Sequence, residues 1–198
     1  MTDWKKVKNK MSIEIKVVGK FVPAYDYSTE SKAEATDGKI CKFMIEEIRK
    51  AKDKLFYIIQ VAYELHEQTL DKNFQGLKDD LDVFSDEIKI RNFQWSKDLS
   101  QAWVEKLIKH DYHLVQEMQK LNQELDDLHK IFLKVVKLYP EKTDPKQLDQ
   151  VRKLIKLLEK AIDKIVLTFK EREVICNLKP LALEKTYQQM KDYYERLI

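Results

Sequence analysis

In the run IKHDYHLVQE, residues 108–117, His110 and His113 stand three apart, with Asp111 between them and Glu117 four residues beyond His113. Imidazole and carboxylate groups one helical turn apart are the ligands of a zinc site or the partners of an acid–base pair. With about 100° of rotation per helical residue and Leu114 at the centre of the inward face, His110, Glu117 and His113 fall about 40°, 60° and 100° to one side. Asp111 falls on the opposite edge and does not join them. A di-iron bundle needs Glu-x-x-His on two helices. Here the residues three before the four histidines are Tyr63, Leu107, His110 and Asp126, so only Asp126/His129 offers a carboxylate. The expected role of the group is a polar flank beside a core. His110, His113 and Glu117 stand as weak metal candidates that His66 or a second chain would have to complete.

Other signatures fail on inspection. HEQTL at 66–70 begins like the HExxH of zinc proteases but ends on Leu70. DLDVFSDE, from Asp80, follows a calcium loop until its sixth position, where Ser85 replaces the glycine of the sharp turn. Three scattered glycines make neither a phosphate loop nor a dinucleotide fingerprint, and GxSxG does not occur. The expectation is a chain with no catalytic residues, no cofactor and no small-molecule substrate.

The elements that would position these residues are helices. Only 3 Gly and 4 Pro break a chain of 198 residues that is 36% charged and 43% hydrophobic, a balance that suits long helices rather than sheets or disorder. Its length suits one domain that buries roughly 70% of its unfolded surface. The 37 basic and 34 acidic residues nearly cancel. Arginine occurs only at Arg49, Arg91, Arg152, Arg172 and Arg196; a nucleic-acid reader tends to use more such forks. Cys41 and Cys176 form no CxxC pair and read as reduced thiols. Neither a signal-peptide run at the start nor a stretch of about 20 apolar residues is present, so the expected location is cytoplasmic.

Breakers divide the chain. Gly19, Pro23 and Gly38 bracket the polar stretch KFVPAYDYSTESKAEATDG, which reads as a loop or tether. Before it, Trp4, Val7, Met11, Ile15 and Val18 fit one helical stripe that stops at Gly19, although Met11, Ile13, Ile15 and Val17 also alternate as a strand would. Residues 1–38 are thus expected to be an amphipathic segment and loop, and 39–198 a helical bundle. From Ile40 the stripe Met44, Ile48, Ala51, Leu55, Ile58, Ala62, Leu65 and Thr69 steps by four and three, widened by Ile45, Phe56, Ile59 and Tyr63. Gly76 is read as an interruption, after which Phe74, Leu77, Leu81, Phe84, Ile88 and Trp95 keep the spacing. The phase then resets, with Ser96 as candidate cap. Val104, Leu107, Asp111, Leu114, Met118, Leu121, Leu125, Leu128, Phe132, Val135 and Tyr139 follow, a helix of about 40 residues and ~60 Å. After Pro140, Asp144-Pro145-Lys146-Gln147 is a helix start, leading to Val151, Ile155, Leu158, Ile162, Ile165 and Phe169. Beyond Pro180 a last stripe holds Leu183, Tyr187, Met190, Tyr194 and Leu197. The fold expected is all-α: an elongated antiparallel bundle of four to five helices with coiled-coil-like packing.

Three features point to interactions. Asp111 is the one polar member of its stripe, and such a residue costs stability while fixing register or partner number. Lys153, Lys156, Lys160 and Lys164 make a basic line opposite the apolar face, suited to phosphate, an acidic partner or an anionic membrane, though Glu159 and Asp163 dilute it. Trp4, set among lysines, suits a membrane interface or a docked helix; Tyr187 and Tyr194 suit a partner surface or a core edge. The expected function is a non-catalytic interaction or scaffold protein that self-associates, as a dimer for instance, or binds partner helices through its apolar stripes. A peripheral binder of anionic membrane or nucleic acid is the alternative, and a metal-binding bundle the second.

Overall fold

The computed structural model describes residues 3–64, 68–90, 100–138 and 145–176. Among them are six helices: α1 (Trp4–Lys10), α2 (Ser12–Val18), α3 (Glu30–Glu64), α4 (Gln68–Lys89), α5 (Gln101–Leu138) and α6 (Pro145–Ile175). The described residues form an all-α bundle of four long helices, with α1 and α2 as a short N-terminal arm. Helix starts follow side-chain chemistry. Asp3 accepts from the Lys6 amide at 3.3 Å, Thr29 from the Lys32 amide at 3.3 Å and Ser100 from the Trp103 amide at 3.3 Å, each satisfying an amide that the first turn leaves unpaired. Pro145 opens α6, where its missing N–H costs nothing.

Two boundaries differ from the sequence reading. The polar stretch before Gly38 is a loop only as far as Thr29; α3 starts at Glu30 and runs through Gly38, across the position where segment and bundle were divided. Its first turns are rich in Ala, Glu and Lys, good helix formers, and Ala33 is fully buried. Gly76 does not interrupt either: α4, from Gln68 to Lys89, passes through it. A single interior glycine costs a helix about 1 kcal/mol, too little to end one that is packed. A Cβ added at Gly76 meets nothing within 4 Å. Gly76→Ala is therefore expected to raise stability by about 0.5–1 kcal/mol, read as a higher midpoint in urea; a lower midpoint would contradict the open space there. Ser96, Trp95, Tyr139, Pro140, Asp144, Pro180 and the stripe from Leu183 to Leu197 lie outside the described residues.

The direction of each helix follows from which residues meet. Asp111 meets Arg172 and Glu117 meets Lys164, so α5 and α6 are antiparallel. Glu47 meets Asn122 and Lys54 meets Asp126, so α3 and α5 run the same way. Phe84 meets Phe169 and Glu87 meets Lys170, so α4 and α6 also run together. Successive hairpins α3–α4 and α5–α6 thus pack side by side, with α3 facing α6 and α4 facing α5 across the core. Every described member of the α5 and α6 stripes is buried, from Val104 to Phe132 and from Val151 to Phe169. Edge-on ring pairs, Phe74 on Phe132 at 5.9 Å and Phe84 on Phe169 at 5.5 Å, fill the centre. Each such aromatic or aliphatic side chain contributes roughly 1.5–3 kcal/mol by leaving water.

The arm packs on the first half of α5, burying Val7, Met11, Val18 and Val22. There α5 carries extra buried apolar residues, Ile108 and Val115, beside its main stripe. Further along the same side the residues turn polar and meet α3 instead. Asn122 donates to Glu47 at 3.0 Å, Gln119 donates to the same carboxylate at 3.2 Å, and Lys54 pairs with Asp126 at 2.8 Å. The change from apolar to polar on one helix side marks where the arm ends and α3 takes over as neighbour.

Candidate functional site

At the end of the bundle where α6 finishes, three helices each place one charged side chain on the core axis. Asp37 continues the stripe of α3, Asp111 lies in the stripe of α5, and Arg172 continues the stripe of α6. Asp111 and Arg172 are fully buried and Asp37 is 3% exposed. The Arg172 Nε donates to Asp111 Oδ1 at 2.5 Å, and its Nη1 donates to Asp37 Oδ1. The arm closes the group from outside. Tyr25 and Tyr27 both donate to Asp111 Oδ2, at 2.7 and 2.5 Å, and Arg172 Nη2 donates to the Tyr27 hydroxyl at 3.2 Å.

The loop that carries the tyrosines is fixed by short-range chemistry. Ala24 takes a left-handed turn at φ 54°. Thr36 of α3 clamps the Asp26 backbone on both sides, accepting from its amide at 3.1 Å and donating to its carbonyl at 2.8 Å. The Asp26 carboxylate in turn accepts from the Ser28 amide at 2.8 Å and from Lys32 at 2.9 Å. The two tyrosine rings, held edge to face at 5.2 Å, are thereby aimed at Asp111 from one side.

Burial pushes the Tyr25 and Tyr27 hydroxyls well above the ordinary tyrosine range, and the neighbouring Asp111 pushes them further. For Arg172 burial pulls downward, but the carboxylates of Asp111 and Asp37 outweigh it and hold the guanidinium charged. A tyrosine whose folded pKa exceeds its unfolded value of 10.0 contributes stability that is complete below that value. The contribution is lost as the pH rises towards the folded pKa. The denaturant midpoint should therefore fall above about pH 10, and Tyr25→Phe/Tyr27→Phe should flatten that fall; an unchanged slope would mean that these hydroxyls are not the ones titrating. Chemically, the group has no surface for a reactant: the two central residues are closed to solvent and their polar atoms are taken by one another. It links α3, α5 and α6 to the loop that follows the arm.

A second constellation lies on the outside, in the groove between α5 and α6. His110, His113 and Glu117 share one edge of α5, as their spacing requires, while Asp111 points to the other. Lys164, Thr168 and Glu171 of α6 complete a shallow hollow of about 270 Å³. Glu117 is taken by Lys164 at 2.5 Å. His110 Nδ1 is buried without a hydrogen-bond partner, 4.0 Å from a Glu171 carboxylate oxygen; burial lowers its pKa, and Glu171 and Asp111 oppose that shift. His113 is exposed. Among the described residues no three His, Cys, Asp or Glu side chains are placed to hold a metal ion. Asp126 is paired with Lys54 and His129 stacks on Tyr57, and His66 lies outside the described residues.

Of the other expected contact residues, Lys153, Lys156 and Lys160 are exposed along α6, whereas Lys164 is engaged with Glu117. Trp4 is half-buried against the bundle with the Lys8 ammonium 5.6 Å from its ring centre, so the apolar side of the N-terminal segment is used inside the chain. Tyr187 and Tyr194 lie outside the described residues. No described helix is long and apolar enough to cross a membrane.

Sequence reasoning found Asp111 but missed its partners. Arg172 follows Phe169 by three and Asp37 precedes Ile40 by three, so both lie on stripes that were followed only as far as their last apolar member. Tyr25 and Tyr27 carry no periodic signal. Compared with known proteins, the chain matches no protein family, no curated protein and no solved structure.

Proposed function

We propose that the chain is a non-catalytic helical interaction or scaffold protein that associates with a second copy or with partner helices. The observation that supports this reading is the closed state of its densest charge group. Asp37, Asp111 and Arg172 are buried and engaged in joining three helices to the loop that follows the arm. The inner stripes once expected to bind partners are used within the chain's own core, so association falls to the outer faces, where heptad-spaced apolar residues such as Val83 and Ile90 stay exposed. The test is native mass measurement of the chain recovered from its source at cellular concentration. Recovery as a dimer or as a complex with a second protein supports the reading; recovery as a bare monomer overturns it.

The exposed lysines favour a second reading, a peripheral contact with an anionic membrane or nucleic acid. Lys153, Lys156 and Lys160 stand on one side of α6, and Lys164 adds to it if Glu117 releases it. Lys→Glu at these four positions should abolish a salt-sensitive cosedimentation with anionic vesicles or a shift of RNA. Absence of any binding by the unaltered chain at low salt would end this reading.

A further inference from the structure

The hollow between α5 and α6 is crossed by two polar rungs, and only one of them is closed. Glu117 meets Lys164 at 2.5 Å. Seven residues away on each helix, His110 Nδ1 faces a Glu171 carboxylate oxygen at 4.0 Å. Seven residues are about 10 Å along a helix, so the Lys164 ammonium is engaged well away from the second rung. The first rung is an ion pair with its charges matched. The second is not: its separation is too long for a hydrogen bond, and His110 Nδ1 is buried with no partner. A buried polar atom of this kind is the exception in a folded chain and points to a ligand.

Three donors stand at or beside that rung. His110 and Glu171 face one another, and His113, three residues after His110, lines the same hollow. Donors three apart on one helix reach a single ion, as the Glu-x-x-His pairs of di-iron bundles do. His113 is exposed, so its ring can change rotamer at small cost. Among the described residues no three donors are gathered beforehand; binding must bring this ring in. Zinc bonds of about 2.0–2.1 Å at a tetrahedral angle hold an imidazole nitrogen and a carboxylate oxygen about 3.4 Å apart. His110 and Glu171 are already close to that separation, and the Glu171 side chain, 56% exposed, has room to close the rest.

We propose that His110, His113 and Glu171 bind one Zn²⁺ ion across α5 and α6, with a fourth position open to solvent. Two imidazoles and one carboxylate are a nitrogen and oxygen set that zinc takes, and three protein ligands leave an outward position free. The local field favours a cation, because the Glu171 and Asp111 carboxylates act on His110 more strongly than Lys106 does. Burial pushes the ring towards its neutral form, the form that binds metal. Glu171 thus takes the place that spacing along α5 alone gives to Glu117. Thr168, between the rungs, donates its hydroxyl to the Lys164 carbonyl at 2.8 Å and stays outside the ligand set. A single copy carries the whole site, so the proposal does not depend on the association reading.

Calorimetric titration of ZnCl₂ into the full chain, first stripped of metal with EDTA, tests the proposal. One ion per chain is expected to bind with a Kd below about 100 µM. His113→Ala and Glu171→Gln, both at exposed positions, should each weaken binding at least about tenfold. Glu117→Gln, about 10 Å away, should leave it within about threefold. Far-ultraviolet circular dichroism checks that each variant is folded. Zn²⁺ at about 100 times its Kd should also raise the melting midpoint of the unaltered chain by about 5–10 °C, and that of Glu171→Gln much less. Absence of binding below about 100 µM overturns the proposal. So does one ion per two chains, which would put the metal between copies. Undiminished binding by His113→Ala or by Glu171→Gln overturns the ligand set. Loss of binding in Glu117→Gln with Glu171→Gln unaffected would return the site to α5 alone.

Discussion

Replacement of Arg172 by methionine is expected to cost the fold about 3–5 kcal/mol, the range for removing one partner of a buried ion pair. The guanidinium is fully buried and lies between two carboxylates, Asp111 and Asp37, which are 0% and 3% exposed. Solvent therefore screens none of the loss. Methionine matches the length of the side chain but leaves both carboxylates facing an apolar group, and a buried carboxylate without a cation either binds a proton or draws in water. In a chain of this size each kcal/mol moves the midpoint by about 2–4 °C, so thermal melting should drop by about 6–20 °C. Arg152→Met is the control. That arginine pairs with Asp149 at 3.1 Å on the surface, with both side chains at least half exposed, and its loss should cost well under 1 kcal/mol. Equal shifts for the two variants would show that the buried group is not held as ions.

The Arg172 variant draws on a feature that only part of the sequence disclosed. Periodicity is a local property, so the inward faces of α5 and α6 can be read residue by residue, including the charged Asp111 that an apolar count would reject. The edge shared by His110, His113 and Glu117 is equally legible, because angles around one helix are arithmetic. What sits across from a residue is not local. Arg172 lies in phase with Phe169, yet nothing in α6 says that a carboxylate waits at that height on α5. The antiparallel register that brings them together is set by the whole length of the two helices. The same holds for Lys164, which takes Glu117 out of any metal site. Tyr25 and Tyr27 sit in a polar stretch whose composition resembles a tether. Their order comes from the Asp26–Thr36 clamp and from Asp111, and no turn signal encodes that second partner. Gly76, by contrast, announces a break that packing overrides.

Whether the buried group stabilises the fold or specifies it can be separated by removing it whole. A chain carrying Asp37→Leu, Asp111→Leu, Arg172→Met, Tyr25→Phe and Tyr27→Phe has no charge left to strand and no hydroxyl left unpaired. Taken singly, the three charge removals should cost roughly 10 kcal/mol in sum, yet together they should leave the chain within a few kcal/mol of its original stability, because desolvating ions offsets most of what their attraction returns. The arm should respond differently. Val7, Met11, Val18 and Val22 hold it by apolar contacts that tolerate sliding along α5, whereas hydrogen bonds from Tyr25 and Tyr27 to one carboxylate admit a single position. Amide exchange in residues 3–29 should therefore quicken at least tenfold in the five-fold variant, about 1.4 kcal/mol of lost protection, while α4, which contributes nothing to the group, keeps its rates. A five-fold variant as unstable as Arg172→Met alone would mean that the ions hold the bundle together by energy. Unchanged exchange in the arm would mean that the apolar contacts already fix its place, and that the tyrosines merely satisfy a carboxylate placed there for the helices.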